Sequence, residues 1–196
     1  MNKFVEHLKT VNEHRKLVRQ GCFRIGLYYQ GLTHDLSKYS LTEFFVGVKY
    51  YQGFQSPNNA EREARGYSLA WIHHKGRNKH HYEYWNDYCP VKKNGTVVPV
   101  RMPMRYLAEM YVDRVAACKV YRGKGYNNSH PLEYFLNSKG QIQMHDTTKR
   151  ELERLLRMLA TKGEKTTERY IRRCVLRDYP GAIIAELIVN RTKRNM

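Results

Sequence analysis

The sequence has no two cysteines close enough to form a CxxC unit: Cys22, Cys89, Cys118 and Cys174 are scattered along 196 residues. That argues against a disulfide framework or a zinc ribbon and predicts reduced thiols in a cytoplasm. No apolar run approaches the roughly 18 residues a membrane-spanning helix needs, so no membrane partner is expected. The first residues, MNKFVEHLKTVNEH, lack the apolar stretch of a signal peptide. Acidic residues are scarce, 18 against 35 Lys and Arg, for a formal charge of +17. Such a field attracts anions, whether nucleotides, nucleic acid, acidic metabolites or anionic lipid, without choosing among them. Internal repeats and long linkers are absent as well. What the chain does have is 41% apolar residues and 16 tyrosines, enough for a packed core. Its length suits one domain spanning 1–196.

Hydrophobic spacing predicts an all-α fold. Phe4, Leu8, Val11, Val18, Cys22 and Ile25 recur at helical steps, predicting a helix from 3 to about 30 that Gly31 ends or bends. The position that fills the gap in this stripe is His14. Ser40 and Glu43 form a capping box for a helix over 41–52, and Pro57 marks a loop over 55–59. A third helix from about residue 60 places Ala64, Tyr67, Trp71 and His74 on one face. Asn94-Gly95 between Val-rich arms predicts a β-hairpin, with Pro99 confining the second arm to an edge. Pro103 suits the first turn of the next helix, whose face carries Met110, Asp113, Ala117 and Val120. Residues 123–146 read as loop, short helix and a weak hairpin at NSKGQIQ. Thr148 and Glu151 form a second capping box for a helix to about Ala160, followed by helices over TERYIRRCVL and GAIIAELIVNRT. From 147 to 196 there are 13 Lys and Arg against 6 Asp and Glu, so this end is basic.

Single residues in this pattern mean little, since a lone His on an apolar face is usually a hydrogen-bonded core residue. The set carries more. Three helices turn His14, His74 and Asp113 toward the interior, and burying ionisable groups costs several kcal/mol each unless something compensates. A divalent metal compensates, because it takes neutral imidazole and carboxylate together. His34-Asp35 and His80-His81 lie where helices end and can close such a site. His73 reads as a polar neighbour at a helix end. Glu109, one turn before Asp113, reads as a ligand, as an outer acceptor holding a ligand His, or as a surface ion pair.

The order His14, His34-Asp35, His74, His80-His81, Asp113 resembles the HD superfamily, whose hallmark is an adjacent His-Asp pair with a remote His and Asp on a helical bundle. His34-Asp35-Leu36-Ser37-Lys38 is similar to that family's HD-x-x-K variant. Together, HKGRNKHHYEYW and THDLSKYSLTEF resemble an uncharacterised bacterial and phage HD-like group. The resemblance covers about residues 7–122, leaving 123–196 as a basic helical extension. It implies an HD-like helical bundle with a small β-hairpin insertion. It implies that His14, His34, Asp35 and Asp113 bind a first metal. Asp35 would bridge to a second, held by His74 and one or both of His80 and His81. The ions would be divalent transition metals, one or two of Fe, Mn, Co, Ni or Zn. Asp35 and Lys38 would be catalytic, and Lys38 and Arg77 would bind the substrate anion. For Lys38 a solvated surface position is the competing reading. For Arg77, with Lys75 and Lys79, it is ordinary loop charge.

The activity implied is hydrolysis of a nucleotide or other phosphorylated small molecule by metal-bound hydroxide. The first alternative is a di-iron oxygenase of the inositol oxygenase type. The second is a non-enzymatic, metal-stabilised nucleic-acid-binding protein using Arg172-Arg173 and Arg191 to Arg194 against phosphates. Chance clustering of nine histidines is the remaining account. Tyr28-Tyr29, Tyr50-Tyr51, Tyr82 and Tyr84-Trp85 are read as packing residues rather than base-stacking ones.

Overall fold

A computed structural model describes residues 2–91 and 96–194. The fold is all-α with one small antiparallel hairpin. Helix α1 spans Lys3–Arg24, and the Asn2 side chain accepts from the Phe4 and Val5 amides at its start. Of its predicted stripe, Val11, His14, Val18, Cys22 and Ile25 are buried, while Leu8 is half-buried and Phe4 is exposed. The helix does not reach residue 30. The chain turns at Gly26, φ +83°, and a separate α2 follows over Tyr28–Thr33. Gly26 turns left-handed where the start of the last helix comes against it, and a Cβ there would strike the Gly181 carbonyl. Gly31, the expected breaker, lies inside α2 and lets it approach Cys22 and Phe23.

Helix α3 covers Leu41–Tyr50, with Ser40 as predicted at its cap. The predicted third helix is two: α4, Pro57–Arg65, and α5, Leu69–Arg77. The break falls at Gly66, φ +81°. Ser68 then starts α5 by accepting from the Trp71 amide at 3.0 Å, while donating to buried Glu61 at 2.6 Å. The helical spacing had run through this turn unbroken. Strands β1, Asn86–Cys89, and β2, Thr96–Pro99, pair antiparallel with Asn86 opposite Pro99. The Asn94-Gly95 turn lies outside the described residues.

Helix α6, Met104–Arg122, follows directly after Pro103. No strand forms at NSKGQIQ. Asn137 and Ser138 complete α7, His130–Ser138, and a 3-10 turn covers Lys139–Gln141. Fully buried Phe135 anchors α7 in the core, and Ser138 donates to the Tyr134 carbonyl at 3.1 Å. Helix α8, Asp146–Lys162, is capped by the His145 ring rather than by Thr148. The Thr148 hydroxyl is taken by a tertiary contact, accepting from the Met102 amide at 3.1 Å. Helix α9, Glu164–Tyr170, widens into a π turn over Ile171–Val175 before α10, Pro180–Arg194.

One apolar core joins the two halves. Val18 and Cys22 of α1, with Ile25 just beyond its end, meet Leu107, Met110 and Tyr111 of α6, Phe135 of α7 and Leu152, Leu155, Leu156 and Leu159 of α8. Arg24 also reaches Glu164 at 2.7 Å and Glu168 at 2.8 Å, tying α1 to α9. Arg172 and Arg173 are engaged internally: both reach Glu186 of α10, and Arg172 also donates to the Arg24 carbonyl. Arg191 is exposed, and the side chains of Lys193 and Arg194 lie outside the described residues. Among the described residues no helix is long and apolar enough to cross a membrane.

Candidate metal centre

The centre is built by α1, α6 and α5 with the two segments that follow α2 and α5. His14 comes from the buried stripe of α1 and Asp113 from the α6 face packed against it. His34 ends α2, and Asp35 follows with φ +53°, the one non-glycine residue in the left-handed region among the described residues. Arg15 holds that turn by donating to the His34 carbonyl at 2.8 Å and the Leu32 carbonyl at 3.2 Å. His74 sits near the end of α5, and His80-His81 follow it.

All seven sequence-predicted ligands meet here, in two groups that share Asp35. Asp35 Oδ2 faces His34 Nε2 at 3.4 Å and His14 Nε2 at 3.6 Å, while Asp113 Oδ1 lies 3.0 Å from His14 Nε2 and 3.5 Å from His34 Nε2. Asp35 Oδ1 faces His74 Nε2 at 3.3 Å and His80 Nε2 at 3.4 Å. His81 completes the second group, its ring 4.1 Å from that of His80 and 4.6 Å edge-on from Trp71. Ligands at ~2.1 Å around one ion stand about 3.0–3.4 Å apart, close to these separations of 3.0–3.6 Å. Several inner atoms are otherwise unused. Asp35 Oδ1, His80 Nε2 and His81 Nε2 are buried without a hydrogen bond. Three orphaned polar atoms around one point would be costly unless a cation sits among them. The residues therefore fit metal ions held in two groups that share Asp35.

Outer carboxylates fix the rings. Glu109 Oε1 accepts from His34 Nδ1 at 2.9 Å and His80 Nδ1 at 3.2 Å, so both rings turn Nε2 inward. Glu109 is thus an outer acceptor, although its oxygen and the two Nδ1 atoms are close enough to form a third donor group of their own. Glu43 Oε2 accepts from His74 Nδ1 at 2.7 Å and Oε1 from His73 Nδ1 at 2.6 Å. Sequence reasoning missed this role because Glu43 reads as the reciprocal half of a capping box. Ser40 does cap α3, accepting from the Glu43 amide at 3.4 Å, but the Glu43 carboxylate is diverted to α5. Asn78, also missed, donates to Ser37 Oγ at 2.9 Å beside His74.

Charge follows this geometry. Burial would raise the Asp35 carboxyl, but His34, Lys38 and His74 hold it well below the usual range. Burial likewise opposes ionisation of Asp113, and hydrogen bonds from His14 and His34 outweigh it. Burial, with His80 and His74 beside it, holds His81 neutral, the form a metal needs. Lys38 Nζ lies 2.7 Å from Asp35 Oδ2, and the Lys38 side chain is 28% exposed. Arg77 is exposed and turned back on its own helix, donating to the His73 carbonyl at 3.3 Å. Lys79 lies over the Tyr84 ring at 5.7 Å.

A family model described as a family of unknown function (DUF5662) matches residues 3–158, which takes in every residue of this centre and extends through most of α8. No curated protein and no solved structure matches the chain.

Proposed function

The chain belongs to DUF5662, a family of unknown function, and from the centre it carries we propose that it is a metal-dependent phosphohydrolase of HD-like construction. Its substrate is a nucleotide or other phosphorylated small molecule. The observation that carries this reading is Asp35: a fully buried carboxylate with each oxygen turned to a different cluster of imidazoles and Lys38 alongside. His14, His34 and Asp113 with Asp35 Oδ2 would hold one ion. His74, His80 and His81 with Asp35 Oδ1 would hold the other. Divalent ions in such a pair supply Lewis acidity toward a phosphoryl group and lower the pKa of water.

The chain's own groups do the rest. Glu109 and Glu43 keep the ligand rings in one tautomer and orientation. Asp35 couples the two clusters through a single rigid side chain. Lys38 is fixed by Asp35 yet its side chain stays partly exposed, so its ammonium binds the substrate anion and stabilises charge that builds on it. The positive field of a chain at +17 draws such an anion in.

The test is elemental mass spectrometry on protein purified without added metal or chelator, with Asp35→Ala alongside, and hydrolysis of p-nitrophenyl phosphate. One to two equivalents of a transition metal, lost in the variant, with turnover that needs the metal, support the reading. Absence of metal even after loading with manganese or iron overturns it. Two equivalents of iron with dioxygen consumption and no phosphate release would make the centre an oxygenase instead.

A further inference from the structure

The open side of the centre has its own chemistry. Among the inner groups Lys38 and Asp113 keep the most exposure, with side chains 28 and 15% accessible, which opens the centre on the side of α1, α6 and the turn after Asp35. On α1, His7, Thr10 and His14 share one face at steps of three and four. On α6, Asp113, Ala117 and Tyr121 share one face at steps of four. The segment joining α3 to α4 closes the remaining side with Tyr51 and Ser56.

Hydroxyl groups dominate this wall. Tyr51 OH and Thr10 Oγ1 are 3.0 Å apart. Tyr121 stands two turns beyond Asp113 on the same face of α6 and is half-buried, and burial pushes its phenol up against the pull of the Lys38 ammonium. His7 lies against Tyr51, with ring centroids 5.8 Å apart. It is only 6% exposed, and its Nδ1 is buried with no hydrogen-bond partner. A polar nitrogen left so is costly unless a ligand or water completes it. Tyr51 is 8% exposed and meets His7 at 63°, so it offers no open aromatic face on which a nucleobase would stack.

We propose that this wall is a subsite for the hydroxyl groups of the substrate, so that the phosphate ester taken is that of a sugar or polyol. The inference rests on the phosphohydrolase reading for its anion and adds the groups that recognise the rest of the molecule. Lys38 and the ions take the phosphate, and Tyr121, Ser56, Tyr51 and His7 exchange hydrogen bonds with hydroxyls.

Calorimetric titration of the manganese-loaded full chain with ribose 5-phosphate and with ethyl phosphate tests it without requiring turnover. The two probes share the anion and differ in hydroxyls. Ribose 5-phosphate is expected to bind about tenfold more tightly, the worth of one or two net hydrogen bonds. Tyr121→Phe and His7→Asn, each checked for thermal unfolding and metal content, should bring that ratio down to about threefold or less. Equal affinity of the two phosphates in the unaltered protein would overturn the subsite while leaving the phosphate reading standing, as would a ratio that survives both substitutions. Failure of both probes to bind would remove the phosphate reading and the subsite together.

Discussion

Chelation should destabilise this protein by an amount the centre itself sets. Without cations, Asp35 Oδ1 and the Nε2 atoms of His80 and His81 are buried and unbonded. Each such atom costs roughly 1–3 kcal/mol, so the folded state gains substantially from an ion that satisfies several at once. An ion present at about a thousand times its dissociation constant adds about 4 kcal/mol to folding stability. For a chain of 196 residues, 1 kcal/mol moves the melting temperature by roughly 2–4 °C. Removing one ion should therefore lower Tm by about 8–16 °C, and removing two by more. Differential scanning fluorimetry with EDTA against manganese measures this. Asp35→Asn is the matched control, because Asn tolerates the φ of +53° nearly as well as Asp while removing the charge shared by the two groups. Its Tm should respond to manganese by less than about 2 °C, a fraction of 1 kcal/mol at this size. A wild-type Tm indifferent to both EDTA and manganese would refute the assignment of these residues to a metal. A full response in Asp35→Asn would refute the shared-carboxylate arrangement.

Other perturbations separate the parts. Glu109→Gln removes the carboxylate that holds both His34 and His80, and metal affinity in a competition titration should fall about 10- to 100-fold. Burial, and to a lesser degree Lys38, lowers His7 from 6.5 to about 4. The unfolded chain then takes up a proton that the folded one refuses, so the contribution of neutral His7 is present above 6.5 and is lost as pH falls toward 4. Denaturant unfolding in EDTA should show wild type losing about 1–2 kcal/mol more than His7→Phe between those limits, after discounting for solvent screening at the ring edge. A parallel loss in the two proteins would contradict this. Gly26→Ala forces a side chain into a left-handed turn and onto the Gly181 carbonyl, and should cost at least about 2 kcal/mol in the same assay.

Sequence spacing located His14 and Asp113 because each interrupts an apolar stripe with a group that would otherwise be solvated. The α1 stripe survives as a buried face from Val11 to Cys22, whereas on α6 Met110 is buried, Asp113, Ala117 and Val120 are half-buried, and Leu107, Tyr111 and Val115 make the core face instead. The same spacing hid the turns. An apolar period continues through Gly26 and through Gly66–Ser68, and only the tertiary partners, Gly181 at one and Glu61 at the other, make the break necessary. The outer carboxylates were harder still. Holding a ligand His was one of the readings open for Glu109, but Glu43 has a satisfactory local explanation as half of a cap, and its actual partner His74 lies 31 residues away. A local motif gives no sign that its carboxylate has been drawn elsewhere.

The charge inside this basic protein points the same way as its geometry. Asp35, Asp113, Glu43 and Glu109 are four carboxylates gathered on one cluster of imidazoles, and among the described residues the one Lys or Arg in ion-pair contact with any of them is Lys38. With neutral histidines that leaves three negative charges inside a chain whose formal charge is +17. Proteins do not bury such an excess without a counter-charge. Imidazoles can supply it by protonation, and burial is in fact outweighed by the carboxylates around His34 and His74, which are both raised. A protonated imidazole, however, donates at both nitrogens, and the Nε2 atoms of these rings point at one another as well as at Asp35: His34 Nε2 lies 3.4 Å from His14 Nε2. Cations between the rings resolve both conflicts, since they take neutral imidazole and bring positive charge. One divalent ion would leave the cluster with a net negative charge. Two would bring it to +1, the sign that the proposed anionic substrate beside Lys38 calls for.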